Sequence, residues 1–228
     1  MPHVLILDLK GDTPWTLRYE KVLNFADLDY SPIACPNFGS PTEFIANLQR
    51  IYLEIFWGAA LQSGAFTPVL EALVRPGFAA SLADQQDHIR LRDKSSAGHG
   101  AVQRLDDIRL NYPTIFHSKK NLWDRLHESS IYFGVDGPLT NAARFLFWQM
   151  VSERFRYLRT IGHRDSTHTL VLLDESPANL GKRQQTVTGQ PPLPVQLLPV
   201  TREHGIQFGV ATPSWTELDP LILSQFGL

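Results

Sequence analysis

The chain has 228 residues, 43% of them hydrophobic, which suits one medium-sized domain or a core with an inserted subdomain. Its 21 basic and 23 acidic residues give a net charge of -2, which excludes a protein that coats polyanions through overall positive charge. With Cys35 as the single cysteine, an intrachain disulfide framework is excluded too, and we expect a reducing, cytoplasmic environment. No apolar run approaches the roughly 20 residues that a membrane-spanning helix needs.

Four apolar runs predict β-strands along the chain, at residues 4–7, 131–135, 169–174 and 206–211. Continuous apolar runs of this length suit strands that are buried on both faces of a sheet. Because helical segments separate these runs, we predict an α/β fold with a parallel sheet.

Helix signals fill the segments between these strands. Ser40-Pro41-Thr42-Glu43 is typical of a helix start, with a capping serine, a proline in the first turn and a glutamate that closes the capping box. Residues 78–128 read as mostly helical, with a flexible break at 95–98. Because the block from about 40 to 128 is too long for a simple crossover, we predict a helical insertion at 40–128 in a core formed by 1–39 and 129–228.

Three further helices are predicted in the second half of the chain. Apolar residues recur at helical spacing from Leu139 to Leu158 and indicate one long helix. Residues 193–204 suit a helix that two prolines would kink or shorten. A capping-box pattern at Ser214 to Glu217 predicts a final short helix.

The strongest candidate for chemistry is an acidic pair at the end of a predicted strand. Four apolar residues, 170–173, lead directly to Asp174 and Glu175. Ligands of open α/β sheets bind at the carboxyl ends of the strands, and two such acids can hold Mg²⁺ and orient an attacking water. The alternative is structural: a strand followed by a helix that the aspartate caps.

Three segments, in their order along the chain, resemble the HerA–FtsK superfamily of motor ATPases, close to the coupling proteins of conjugative secretion. Asp8-Leu9-Lys10-Gly11-Asp12 resembles the family's second-strand motif, commonly Asp-x-Lys-Gly-Asp/Glu. Residues 170–175 resemble the Walker B strand, and 201–212 resemble the helix and strand that follow it. The resemblance implies a RecA-like parallel sheet.

The resemblance also implies ATP and Mg²⁺ as cofactors, and it assigns roles to seven residues. Asp174 is the expected metal residue and Glu175 the expected catalytic residue for the attacking water. Arg202 is the second expected catalytic residue, reaching the γ-phosphate of a neighbouring subunit. The expected nucleotide-binding residues are Asp8, Lys10, Asp12 and Thr212. Relatives of this kind form hexameric rings, so we expect a homo-oligomer, with DNA as a further candidate partner.

Two departures from the family pattern keep other functions open. The sequence contains no Gly-x-x-x-x-Gly-Lys-Ser/Thr phosphate loop, and Pro213 stands where the family usually has a glutamine that senses the γ-phosphate. We therefore expect a domain that is incomplete at both ends. The alternatives are a non-catalytic remnant that binds a partner subunit or DNA without ATP turnover, and an unrelated α/β enzyme whose acidic pair does acid–base work.

Two further groups of residues are weaker candidates. His163 and His168 flank a loop that contains Asp165 and could form a metal site, although without a cysteine or a helical histidine pair solvated loop residues are the plainer interpretation. The basic pairs at 119–120 and 182–183 could contact DNA phosphates, although paired surface cations usually do nothing specific.

Overall fold

The computed structural model describes residues 2–9, 22–56, 64–74, 80–111, 113–134, 140–164, 166–174 and 193–226. The chain divides into two compact units. The first combines Met1–Phe25 with Ser129–Leu228, and the second is Ala26–Glu128. No helix in the described ranges combines the length and the apolar character that crossing a membrane requires.

The first unit is built on a sheet whose described strands are all parallel. They are β1 (His3–Asp8), β2 (Val22–Asn24), β3 (Ser130–Gly134), β4 (Thr169–Leu173) and β5 (Ile206–Val210). Their order across the sheet is β2-β3-β1-β4-β5. The predicted α/β fold with a parallel sheet is confirmed. The prediction missed β2, because three residues are too few to show a strand pattern.

The helices are numbered along the chain. Those of the second unit are α1 (Pro41–Phe56), α2 (Phe66–Leu73), α3 (Leu82–Arg92), α4 (Ser96–Asn111), α5 (Pro113–His117) and α6 (Trp123–Leu126). Those of the first unit are α7 (Thr140–Thr160), α8 (Leu193–Arg202) and α9 (Pro220–Gln225). Helix α8 forms despite Pro199 in its interior.

Helix α7 packs on one face of the sheet, against β1 and β3. The ring of Phe147 meets Phe133 edge to face, with 5.5 Å between the ring centroids. The sequence predicts one apolar stripe for this helix, but residues 145–154 are buried on all sides, including Glu153 and Arg154. Glu153 accepts a hydrogen bond from the Arg156 guanidinium. The Nη2 atom of Arg154 donates to the Ser129 carbonyl at 2.6 Å. Burial of charge is tolerated here because hydrogen bonds accompany it.

Trp123 is the centre of the aromatic core in the second unit. Its ring is fully buried, and Tyr30 and Phe44 pack against it edge to face. Its indole Nε1 donates to the carbonyl of Ala34 at 2.6 Å, which satisfies the one polar atom of the side chain. The core of this unit therefore joins residues that are about ninety positions apart in sequence.

Two predicted element boundaries are wrong, and side-chain caps explain both. The predicted break at 95–98 lies earlier in the chain. The Asp93 side chain accepts a hydrogen bond from the Ser95 amide, and the Ser95 side chain accepts one from the Gly98 amide, so α4 already begins here. The predicted capping box at 214–217 forms only a short 3-10 helix. The last helix instead begins after Asp219, whose side chain accepts a hydrogen bond from the Leu221 amide. The backbone of Asp219 is extended, and so outside the helix, because Pro220 follows it.

Candidate functional site at the carboxyl edge of the sheet

The register of the central strands brings two aspartates side by side. Residues of β1 and β4 pair in order up to Leu7 with Leu173, so the next positions, Asp8 and Asp174, are neighbours. The amide of Asp174 donates to the Leu7 carbonyl at 2.9 Å, which continues the parallel pattern by one residue. Paired positions of adjacent strands are about 4.8 Å apart and share a face of the sheet. Asp8 and Asp174 therefore lie together at the carboxyl edge of the sheet.

The two carboxylates differ in their surroundings. Asp8 is fully buried, and its Oδ2 accepts a hydrogen bond of 2.9 Å from the hydroxyl of Tyr132 on β3. Asp174 is half-buried. Carboxylate oxygens brought together from adjacent strands are ligands that a divalent cation such as Mg²⁺ prefers.

The residues at this edge fit a divalent metal ion with oxygen ligands. Mg²⁺ is commonly held through one or two carboxylates, with water and substrate phosphates completing its shell. Asp8 and Asp174 would supply such carboxylate oxygens, and the partial exposure of Asp174 leaves access from solvent. Glu175, Lys10 and Asp12, which the family resemblance assigns to the same site, lie outside the described residues.

Thr212 lies just beyond β5, two positions past the strand's last residue. The amide of Ala211 donates to the Leu173 carbonyl at 2.8 Å, so β5 still follows β4 at this edge. The hydroxyl of Thr212 donates to the Ser214 carbonyl at 3.0 Å and accepts from the Ser214 amide at 3.2 Å. Its hydroxyl is thus engaged in its own turn, and its role in nucleotide binding stays a prediction.

Arg202 lies at the opposite, amino edge of the sheet. It ends α8 and is exposed, and a short turn through Gly205 leads from it into β5. A strand of five residues is about 17 Å long, so Arg202 cannot reach Asp8 or Asp174 of its own sheet. Its predicted catalytic role is therefore restricted to contact with a neighbouring subunit, and that contact stays a prediction.

Tyr132 and Gly134 are two residues of this edge that the sequence patterns did not indicate. Tyr132 lies on β3 beside Ile6, and Gly134 lies beside Asp8. A tyrosine inside a buried apolar strand needs a hydrogen-bond partner for its hydroxyl, which is a usable signal. The identity of that partner depends on β3 lying next to β1, and the sequence alone does not show this order.

The structure brings three histidines together at the amino edge. The ring of His168 lies 5.1 Å from that of His3 and 5.2 Å from that of His163, measured between centroids. The Nε2 atom of His163 is 3.2 Å from the Ser166 carbonyl oxygen. In the described ranges, no three histidine, cysteine, aspartate or glutamate side chains are arranged to hold a metal ion. Asp165 lies outside those ranges.

The lysine pair at 119–120 is neutralised by acids of the same unit. Lys119 contacts Asp84 at 2.9 Å, and Lys120 contacts Asp29. The hydrogen bond from the Lys120 ammonium lowers the pKa of the Asp29 carboxyl. These two cations therefore offer little net positive charge to a nucleic acid. The second basic pair, 182–183, lies outside the described residues.

Comparison with known proteins gives no match, either to a protein-family model or to a curated protein.

Proposed function

We propose that this chain is the Walker B half of a RecA-like motor ATPase related to the HerA–FtsK and conjugative coupling proteins. In this proposal the carboxyl edge of the sheet holds the Mg²⁺ of Mg-ATP. The observation that carries it is the adjacency of Asp8 and Asp174, joined by the bond from the Asp174 amide to the Leu7 carbonyl. The order of the three resembling segments supports it independently.

The proposed roles follow from the position of each side chain. Asp174, half-buried at the strand end, would hold the metal ion, and Asp8 would assist it from the neighbouring strand. Bound Mg²⁺ would supply neutralisation of phosphate charge. Glu175 would orient the attacking water, as the family resemblance implies.

A ring assembly completes the proposal. Because Arg202 lies at the far edge of its own sheet, it would act only on the nucleotide of a neighbouring subunit. A homohexameric ring that moves DNA would supply such a neighbour. Arg202 is exposed at the end of α8 and is therefore accessible to another chain.

One observation favours a second candidate, a non-catalytic remnant that binds a partner subunit or DNA. Thr212, assigned to nucleotide binding, uses its hydroxyl within its own turn, and the next residue is Pro213, which has no donor group. Both features would weaken γ-phosphate sensing at this position.

Calorimetry with Mg-ATP separates the two candidates. Wild type is titrated beside an Asp174→Ala, Glu175→Ala double variant. The matched control is an Asp87→Ala, Glu203→Ala double variant, which also removes two exposed acids, one in the second unit and one in the turn before β5 at the amino edge of the sheet. The ATPase proposal predicts binding by wild type and control that is lost in the Asp174, Glu175 variant.

Two results would contradict the ATPase proposal. The first is no heat of binding up to millimolar Mg-ATP from a chain whose thermal unfolding shows that it is folded. The second is equal binding by wild type and the Asp174, Glu175 variant, because ATP would then bind elsewhere. Either result would leave the remnant as the better candidate.

A further inference from the structure

The Tyr132 side chain reaches the carboxyl edge by lying over a glycine of its own strand. Tyr132 and Gly134 are two positions apart on β3 and so share a face of the sheet. A Cβ atom built on Gly134 would be 2.2 to 2.3 Å from the far end of the tyrosine ring, including its hydroxyl oxygen. Only a residue without a side chain therefore allows the ring this path.

The path ends on the carboxylate of Asp8. Gly134 is the β3 residue paired with Asp8, so a ring that crosses Gly134 arrives beside that aspartate. There the hydroxyl donates to Oδ2 at 2.9 Å, and Tyr132 as a whole is only 7% exposed. A buried donor with a fixed path restricts rotation of the carboxylate that it contacts.

We propose that Tyr132 is a positioning residue for Asp8 in the cation site, and that Gly134 acts through Tyr132 by leaving space for its ring. This inference rests on the proposed function, because it assigns Asp8 to a divalent cation. The tyrosine hydroxyl fixes the orientation of the carboxylate by its hydrogen bond to Oδ2, on the strand next to the one that ends at Asp174. Neither residue belongs to the three segments that resemble motor ATPases.

Mn²⁺ is the probe for this inference, because electron paramagnetic resonance measures free and bound Mn²⁺ separately. Wild type is expected to bind Mn²⁺, and Asp8→Ala and Asp174→Ala are expected to lose that binding. Tyr132→Phe, which removes only the hydroxyl, is expected to weaken affinity about 3- to 10-fold, since residues that orient a metal ligand typically contribute on this scale or above. The spectrum of bound Mn²⁺ should change as well.

Gly134→Ala and a double variant test whether the two residues act as one unit. Gly134→Ala should weaken Mn²⁺ affinity in the same direction as Tyr132→Phe. Adding Gly134→Ala to Tyr132→Phe should cause little further loss, because residues acting through one contact are not additive. A purely structural role would lower the thermal midpoint of each variant without this pattern in affinity.

Tyr30→Phe is the matched control in the second unit. Its hydroxyl is buried and has no hydrogen-bond partner among the described residues, so its removal should leave Mn²⁺ affinity unchanged. Wild-type affinity and an unchanged spectrum in Tyr132→Phe would overturn the positioning role alone. Absence of Mn²⁺ binding in wild type, or equal binding in Asp8→Ala, would overturn the positioning role together with the proposed cation site.

Discussion

The two edges of the parallel sheet carry different ionisable side chains, aspartates at one edge and histidines at the other, on the same strands. At the carboxyl edge, β1 and β4 end in Asp8 and Asp174, which lie side by side. At the amino edge, the same two strands begin beside His3 and His168, whose rings are 5.1 Å apart. Parallel strands align their ends, so residues that follow each strand form one cluster and residues that precede each strand form another.

The comparison shows why one edge is a candidate site and the other is not. The carboxyl edge joins two carboxylates from adjacent strands, and such a pair can share a divalent cation. At the amino edge the backbone closes a turn instead: the His168 and Thr169 amides both donate to the Gly205 carbonyl, and Nε2 of His163 lies 3.2 Å from the Ser166 carbonyl oxygen. The carboxyl edge thus offers carboxylate oxygens from two adjacent strands, whereas the amino edge is a packed turn.

The largest expected effect comes from Gly205→Ala at the amino edge. Gly205 has φ of +77°, and a Cβ there would lie 2.3 Å from the Ser166 carbonyl oxygen. We expect a loss of about 3 kcal/mol in the free energy of unfolding, from backbone strain plus that clash. Denaturant unfolding measures it, and Mn²⁺ affinity at the other edge should not change.

Gly162→Ala is the matched control, because Gly162 has φ of +72° but nothing within 4 Å of an added Cβ. Gly162→Ala should lower the free energy of unfolding by about 1 kcal/mol, from the backbone strain alone. Equal losses of unfolding free energy in the two variants would show that the clash at Gly205 adds nothing to the backbone strain.

A moderate effect is expected from Asp174→Asn at the carboxyl edge. With Mg²⁺ at tenfold its dissociation constant, the free energy of unfolding of wild type should rise by about 1.4 kcal/mol, and that of the variant should rise much less. Chemical denaturation with and without Mg²⁺ measures both changes. An equal rise in wild type and variant would argue against Asp174 as a metal ligand.

The smallest effect is expected from Arg202→Ala. The side chain is exposed at the end of α8, and exposed substitutions usually change stability by less than about 0.5 kcal/mol. Mg-ATP binding by the isolated chain should also stay the same, because Arg202 cannot reach its own carboxyl edge. A large loss of binding in calorimetry would mean that the two edges of one sheet are functionally coupled.

The sequence predicted the acids of the carboxyl edge because local pattern determines them. Four apolar residues before Asp174 indicate a buried strand, and whatever follows such a strand lies at the carboxyl edge. The same reasoning located Asp8. Neither prediction required knowledge of which strands are neighbours.

The contact between Tyr132 and Asp8 could not be predicted in this way. The two residues are 124 positions apart, and they meet only because β3 is hydrogen-bonded to β1. The cluster of His3 with His163 and His168 has the same origin in strand order. Long-range pairing is a property of the whole sheet, which local patterns do not encode.

The most direct test of the account measures where a divalent cation binds. Mn²⁺ added to isotope-labelled chain enhances the relaxation of nearby amide protons, steeply with proximity. The account predicts the strongest enhancement at Gly134, Asp174 and Ala211, falling along each strand toward His3 and Gly205 about 17 Å away. Enhancement centred on the histidines of the amino edge, or no localised enhancement in a folded chain, would contradict a cation site between Asp8 and Asp174.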